Sequence, residues 1–370
     1  MIKQNKLLIL LILSIVQCND QTDLKTDDFN QYIYSNKSNL EVIEETKINL
    51  PIHSPFQITK SHNSSRVVID GQTWELVLLD ETDKKIEKKG GFGEGPGEFN
   101  LINSFHLSSE GQLTLLDQRL SRLTLFELSS KGLELRETRN LPGLDEFRFE
   151  DIFTYSGTTY AVLAPVDYRY SGDHRFYLYQ LDSDLKPERQ LLKFEGKQLI
   201  KSGNDRYAQH PLPFTNHWDV DGEHFYFAKS ENLSVHTFNL ESHAQDKVVF
   251  SDQIKRKNSA TFKDYYEDRM GSFIEANSPE WEDVIDTEYL PLTQDMSVSD
   301  GKVLFTTFYG GSEHGMGLVG DLESNQLYYI NTIPHFMIYD LTGSTIHGVN
   351  FDNVGQQEAM KLRLSIDEIN

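Results

Sequence analysis

Ser108-Ser109-Glu110-Gly111-Gln112-Leu113-Thr114-Leu115-Leu116-Asp117, answered after a short polar loop by Arg122-Leu123-Thr124-Leu125-Phe126-Glu127, is the stretch from which the fold can be read. A glycine closes a turn, an apolar run follows, and a second apolar run returns. Short apolar runs bounded by turn residues are the mark of paired antiparallel strands. The same arrangement, a small or acidic residue and then Gly before an alternating strand, recurs at Gly157, Gly222, Gly301 and Gly343. The chain is a repeat.

Each repeat parses into four short strands. In the second unit these are Leu101 to Leu107, Gln112 to Asp117, Arg122 to Glu127 and Leu133 to Glu137. Similar parsing places a first unit over 56–89, a third over 147–194, a fourth over 214–250, a fifth over 293–331 and a sixth over 335–364. Alternation is plain in Phe225 and Phe227, and in Tyr177, Tyr179 and Leu181. Four-stranded units of about 40 to 50 residues indicate a β-propeller, whose sheets stand radially about a channel and bury their faces on one another. The expected fold is all-β: a six-bladed propeller of four-stranded antiparallel blades spanning residues 41–370.

The sixth unit runs out of chain after its third strand, whereas residues 41–50 form a spare strand upstream of the first unit. That N-terminal strand is expected to complete the last blade, which removes the free edge of an open ring. Two intervals between turn glycines are long and hold insertions. The larger, 252–291, places Phe262, Tyr265, Tyr266, Arg269 and Phe273 at helical spacing, and Ser278-Pro279 reads as an N-cap followed by proline at the first helical position. A short helical insertion between blades four and five follows, either a lid over the channel mouth or a cap on the blades.

With 370 residues, 38% hydrophobic and 11% aromatic, the chain can bury a sizeable core. Its 35 Lys and Arg against 57 Asp and Glu leave a formal net charge of -22, which repels a phosphate backbone and argues against nucleic acid as a partner. Lys3 and Lys6 precede an apolar run from Leu7 to Val16 that is about half the length a bilayer requires, so residues 1–17 read as an export signal. Cys18, the one cysteine of the chain, stands directly after it. The segment Ile15-Val16-Gln17-Cys18 resembles a lipobox, departing from it at Gln17, and marks Cys18 for lipidation; the other reading is a secretory signal that contains a cysteine. Residues 18–40 are polar and read as a tether. The address is the cell envelope, membrane-bound by a lipid anchor alone, with the outer membrane expected on either its periplasmic or its surface side.

The stretch Gly90-Gly91-Phe92-Gly93-Glu94-Gly95-Pro96-Gly97-Glu98-Phe99 follows the first blade. It resembles the linker of the six-bladed β-propeller lipoproteins of Bacteroidota, which look like relatives of NHL-repeat propellers. The following run Leu115-Leu116-Asp117, then Arg119, then Leu123 to Phe126, is similar to the blade that comes next in that family. The resemblance covers residues 66 to 128 specifically and implies a fold and an envelope location more than an activity. Read by itself, the glycine-rich stretch has no lysine and no helix start with which to cradle a phosphate, so its glycines serve tight turns between blades. Phe92 and Phe99 are expected to wedge between neighbouring blades.

In a propeller the loops joining second and third strands, with the crossings between blades, open around one mouth of the channel. In blade three that loop carries Tyr168, Arg169 and His174, in blade five Tyr309 and His314, and the crossing from blade three to four carries Arg206 and His210. Aromatic, Arg and His side chains gathered in loops fit recognition of a peptide, glycan or envelope protein; the alternative is that they pack on one another. A rival reading is a metal-dependent lactonase-like or phosphotriesterase-like hydrolase whose ion, calcium among the possibilities, sits in the channel on Asn103, Asp151, Asn216 and Asp295. A third is a structural scaffold of an envelope complex. Gly-x-Ser-x-Gly and His-Glu-x-x-His are absent, and 219–224 reads as a hairpin turn and not a calcium loop. The leading expectation is a non-catalytic binding module with no cofactor.

Overall fold

The computed structural model describes residues 39–365 except 41, 49–54, 61–64, 109, 130, 202–205, 210–214, 252–255, 258–288, 308–315, 332–335, 343 and 352–356. Two strands precede the first blade, β1 (Asn39–Leu40) and β2 (Val42–Lys47). Blade one is β3 (Pro55–Lys60), β4 (Arg66–Asp70), β5 (Glu75–Leu79) and β6 (Lys85–Gly90). Blade two is β7 (Ile102–Leu107), β8 (Gln112–Asp117), β9 (Arg122–Ser129) and β10 (Gly132–Asn140). Blade three comprises β11 (Phe147–Tyr155), β12 (Thr158–Pro165), β13 (Phe176–Leu181) and β14 (Pro187–Phe194), with a single helical turn, α1 (Tyr168–Ser171), between β12 and β13. A hairpin of β15 (Leu199–Lys201) and β16 (Tyr207–Gln209) leads to blade four, formed by β17 (Asn216–Asp221), β18 (His224–Lys229), β19 (Leu233–Asn239) and β20 (Gln245–Ser251). The pair β21 (Arg256–Lys257) and β22 (Tyr289–Leu290) precedes blade five, which is β23 (Thr293–Ser299), β24 (Lys302–Thr307), β25 (Met316–Asp321) and β26 (Gln326–Asn331). Blade six has β27 (Phe336–Thr342), β28 (Thr345–Phe351) and β29 (Gln357–Leu364).

The ring follows from how apolar residues are shared out. In β8, Leu113 and Leu115 enter the core between blades one and two, while Leu116 enters the core between blades two and three. A strand buried on both faces has no solvated side, and the one hydroxyl in 113–116, on the buried Thr114, is met by the Thr154 hydroxyl at 3.1 Å. Equivalent cores lie between blades three and four around Phe153, Phe194 and Phe225, between four and five around Val235 and Phe305, and between five and six around Leu304 and Ile346. First strands of successive blades meet, β3 with β7, β7 with β11, β17 with β23 and β23 with β27, and β27 returns to β3.

As expected, the N-terminal segment completes the last blade: β2 pairs antiparallel with β29 in the order β2-β29-β28-β27. Just before it, β1 pairs in parallel with β26 and gives blade five a fifth strand, with Asn39 opposite Tyr329. The segment thus binds two blades. The repeated turns are those the glycines require. Ser156 and Gly157 take φ of 48° and 72°, and Asp300 and Gly301 take 52° and 73°, the positive pair of a type I′ hairpin.

One expectation is corrected. Phe99 is fully buried and its ring lies 6.4 Å from that of Phe126, but Phe92 is 67% exposed. Parallel bridging of Phe92 to Phe99 folds the glycine-rich stretch back on itself, so that only one of the two rings can face the blades. Arg122 holds this fold by donating to the carbonyls of Glu94, at 2.8 Å, and Glu98. The helical insertion expected within 252–291 lies outside the described residues apart from the antiparallel pair β21 and β22 at its base.

Candidate functional site

Two of the loops singled out in the sequence meet at the mouth between blades three and four. The helical turn α1 packs on β16, and Gly172, which ends that turn at φ 68°, lies against the Tyr207 ring. The Arg206 guanidinium stands 5.7 Å from the centre of the Tyr170 ring, and Tyr170 is 66% exposed. On the neighbouring Tyr168, Arg148 lies over the ring at 5.3 Å and Arg169 at 5.8 Å, with Arg169 Nε donating to the phenol oxygen at 3.2 Å. The surrounding cations are mostly neutralised: Arg148 pairs with Glu150 at 2.6 Å and Arg175 with Asp173 at 2.8 Å. Among the described residues Arg169 and Arg206 have no carboxylate partner. On a chain of net charge -22 they are positive charges laid on the half-buried Tyr168 and the exposed Tyr170.

Beside this platform is a cleft of about 210 Å³ lined by His174, Glu195, Gly196, Asn216, Lys229 and Glu231 among others. Its walls depend on one close approach. The His174 carbonyl lies so near Gly196 that a Cβ there would sit 1.7 Å from the oxygen, so the blade-three loop and the crossing segment after β14 touch backbone to backbone. Asn216, only 4% exposed, donates through Nδ2 to the Glu195 carbonyl, and Lys229 pairs with the Glu195 carboxylate. Partial desolvation at the rim raises the Glu231 carboxyl; the Lys229 charge opposes this and Glu195 adds to it.

Further in, the first strands converge on a polar cluster. His106 Nε2 lies 2.8 Å and 3.0 Å from the two oxygens of Asp151, and Trp218 Nε1 donates to Asp151 Oδ2 at 2.6 Å. Burial works against the charged imidazole, but the Asp151 charge and hydrogen bond outweigh it and raise His106. Burial also works against the Asp151 carboxylate, and His106, Ser104 and Trp218 together hold it below its ordinary value. Asp219, which accepts from Val298 N at 2.6 Å and Val220 N at 2.8 Å, is pushed up to about 7 by burial. Desolvation by the surrounding protein likewise raises Asp295, against the pull of the His217 charge, and burial lowers His217, which donates to the Thr293 carbonyl at 3.3 Å.

Of the expected ligand contacts, Tyr168, Arg169, His174 and Arg206 are brought together. His210, Tyr309 and His314, and the lipidation candidate Cys18, lie outside the described residues. The four residues considered for a channel metal are held separately. Asn103 is exposed and accepts from Gln118 N at 3.2 Å, Asp151 is taken by His106 and Trp218, Asn216 sits in the cleft, and Asp295 accepts from Met296 N at 2.8 Å. Among the described residues no group of three or more His, Cys, Asp or Glu is placed to hold a metal ion. Sequence reasoning missed Tyr170, Gly196, Lys229, Glu231, His106 and Trp218. Tyr170 was legible as part of the aromatic loop, while the others become neighbours only when the blades close up.

The model of the DUF5128 family, a 6-bladed beta-propeller, matches residues 14–275. No curated protein matches the chain. Among solved structures it is similar to a Bacteroides fragilis protein inferred to be exported, at 13% identity over 88% of this chain and 94% of that one, with a TM-score of 0.54. It is also similar to a member of the DUF4221 family from Bacteroides vulgatus, at 8% identity over 88% and 98% of the two chains, with a TM-score of 0.53. At such identities the likeness concerns the fold.

Proposed function

Because the chain belongs to the DUF5128 family of six-bladed β-propellers, we propose that it is a lipid-anchored envelope protein that binds a peptide, glycan or protein partner at the mouth between blades three and four. The observation that carries the reading is the platform of Arg169 and Arg206 on Tyr168 and Tyr170, two cations without carboxylate partners among the described residues beside a ring left 66% exposed. Guanidinium groups on aromatic faces engage planar and anionic groups, and a tyrosine offers contact area at little entropic cost. The anchor rests on Cys18 directly after the apolar run 7–16 and on the likeness of the chain to lipoprotein propellers related to the NHL-repeat type. Binding of this kind calls for no cofactor.

Peptide and glycan arrays probed with the protein test the reading, followed by substitution of Arg169 and His174 together. Loss of the array ligand with unchanged thermal stability is expected; undiminished binding moves the site elsewhere. Conversion of Cys18 to Ala should release the protein from the membrane fraction and abolish incorporation of labelled fatty acid. A calcium titration separates this reading from a channel hydrolase: a melting temperature that stays put is expected, and a stoichiometric ion with a calcium-dependent rise would overturn it.

A further inference from the structure

We propose that the cleft between blades three and four is a binding site for a primary ammonium group, an inference that rests on the mouth being the binding face. The cleft presents several acceptors beside the donors of Gln198 and Lys229. Asn216 is 4% exposed, and its amide orientation is set by donation from Nδ2 to the Glu195 carbonyl, which leaves Oδ1 buried with no partner among the described residues. A buried acceptor without a donor costs about 1–3 kcal/mol, and a ligand that supplies the donor recovers that loss. His174 Nδ1 donates to the Gly172 carbonyl at 3.3 Å, so that Nε2 of the neutral ring is the nitrogen left to accept. Thr215 spends its hydroxyl proton on the Asn216 carbonyl at 3.2 Å and offers only lone pairs. Among the described residues the cation of the lining is Lys229, which is committed to Glu195. Glu231 remains, exposed at the rim and free of any ion pair among the described residues.

An ammonium has three donors and no acceptor, and so suits the acceptors left open here, Asn216 Oδ1, His174 Nε2 and the Glu231 carboxylate. The opening of about 210 Å³ admits an alkylammonium arm or a single amino sugar and is smaller than the usual pocket of about 300–1,000 Å³ for a drug-sized ligand. The cleft also lies on a chain of net charge -22, whose field favours a cation.

The test is a titration of the full-length protein with cadaverine, glucosamine and, as the uncharged control, 1-pentanol, followed by amide chemical shifts or calorimetry. Saturable binding of an amine and none of pentanol is expected. Glu231→Gln, at an exposed position that leaves folding intact, should weaken the amine about tenfold. Asn216→Ala should abolish binding, with a melting curve confirming that the ring still forms. Response to cadaverine alone assigns an alkylammonium arm and response to glucosamine alone an amino sugar; either supports the site. No saturable response to either amine, or equal affinity in Glu231→Gln, overturns it. Failure of the mouth as a binding face is seen separately, as retention of the array ligand when Arg169 and Arg206 are both substituted.

Discussion

Lys361 in the last blade donates to Asp83 in the first at 2.8 Å, across 278 residues of chain and over the seam where the ring closes. Asp83 occupies the turn between β5 and β6 with its side chain only 6% exposed, and it also accepts from Arg66. One carboxylate therefore ties the third strand of blade six to the second strand of blade one. Hydrogen bonds close the ring on its other side, where β2 joins β29. The two closures use different physics, a backbone ladder at the outer edge of blade six and an ionic contact on its face.

The seam makes a first prediction. Asp83→Ala leaves the Arg66 guanidinium, 12% exposed, without this carboxylate, and breaking a buried charge pair from one side costs about 3–5 kcal/mol. Lys361→Met removes a cation that is 28% exposed while Arg66 still neutralises Asp83, and the expected loss is about 1 kcal/mol or less. Urea unfolding of the two variants should rank them in that order. Equal losses would mean that the seam does not depend on Asp83.

The His106 and Asp151 pair predicts a pH window. The fold holds the His106 proton above the ordinary value of 6.5, so that contribution is whole below 6.5 and is lost as pH rises through the raised value. Asp151 is held below the ordinary 3.8, so its contribution is whole above 3.8 and is lost as pH falls through the lowered value. The pair thus stabilises most between 3.8 and 6.5. Asp219 adds a slope within this window, since the fold keeps its proton to about 7 while the unfolded chain releases it near 3.8, so its own contribution falls as pH rises over that interval. His106→Gln keeps a donor for Asp151 without the charge. Its deficit against the wild type, measured by denaturant unfolding, should be greater at pH 5 than at pH 8; the same deficit at both would show that the pair is not ionic.

Much of this architecture could be read along the chain. The turn at Gly301, the run 113–116 and the spare strand at the N-terminus each carry a local signal, of backbone sign, of two-sided burial and of unpaired edge. A second repeated turn escaped notice. Asp80, Asp182, Asn239 and Asp321 each accept two backbone N–H groups in the hairpin between the third and fourth strands of a blade, a pattern whose spacing shifts from blade to blade. Strand β1 has two residues and no pattern to read. The candidate site was half legible, because loop composition shows where aromatic and basic residues gather but not what they touch. Trp218 and Asp151 are 67 residues apart, and no local rule joins them.

Gly196 supplies a third prediction. A Cβ would lie 1.7 Å from the His174 carbonyl, which is backbone and cannot swing aside. Gly196→Ala must therefore push the blade-three loop away from the crossing segment after β14, at about 1–3 kcal/mol for an overpacked contact. Limited proteolysis within 166–175 should quicken, and amine binding in the cleft should disappear, while the strands keep their circular dichroism. An alanine variant with wild-type melting and intact cleavage kinetics would show that the loop does not rest on this glycine.

The platform supplies the last. Arg206 reaches Tyr170 from the β15 and β16 hairpin, whereas Tyr170 belongs to the loop of blade three, so each residue orients the other across two segments. At an exposed site such a contact is worth about 0.5–1 kcal/mol, too little to alter folding by more than a few degrees. A ligand that stacks on Tyr170 and pairs with Arg206 loses both contacts when either is removed, because the survivor is no longer held in place. Arg206→Ala and Tyr170→Ala should each weaken the array ligand about tenfold or more, and the double variant should be little worse than either alone. Additive losses would mean that the two residues bind independently, and wild-type affinity in both single variants would remove the platform from the binding site.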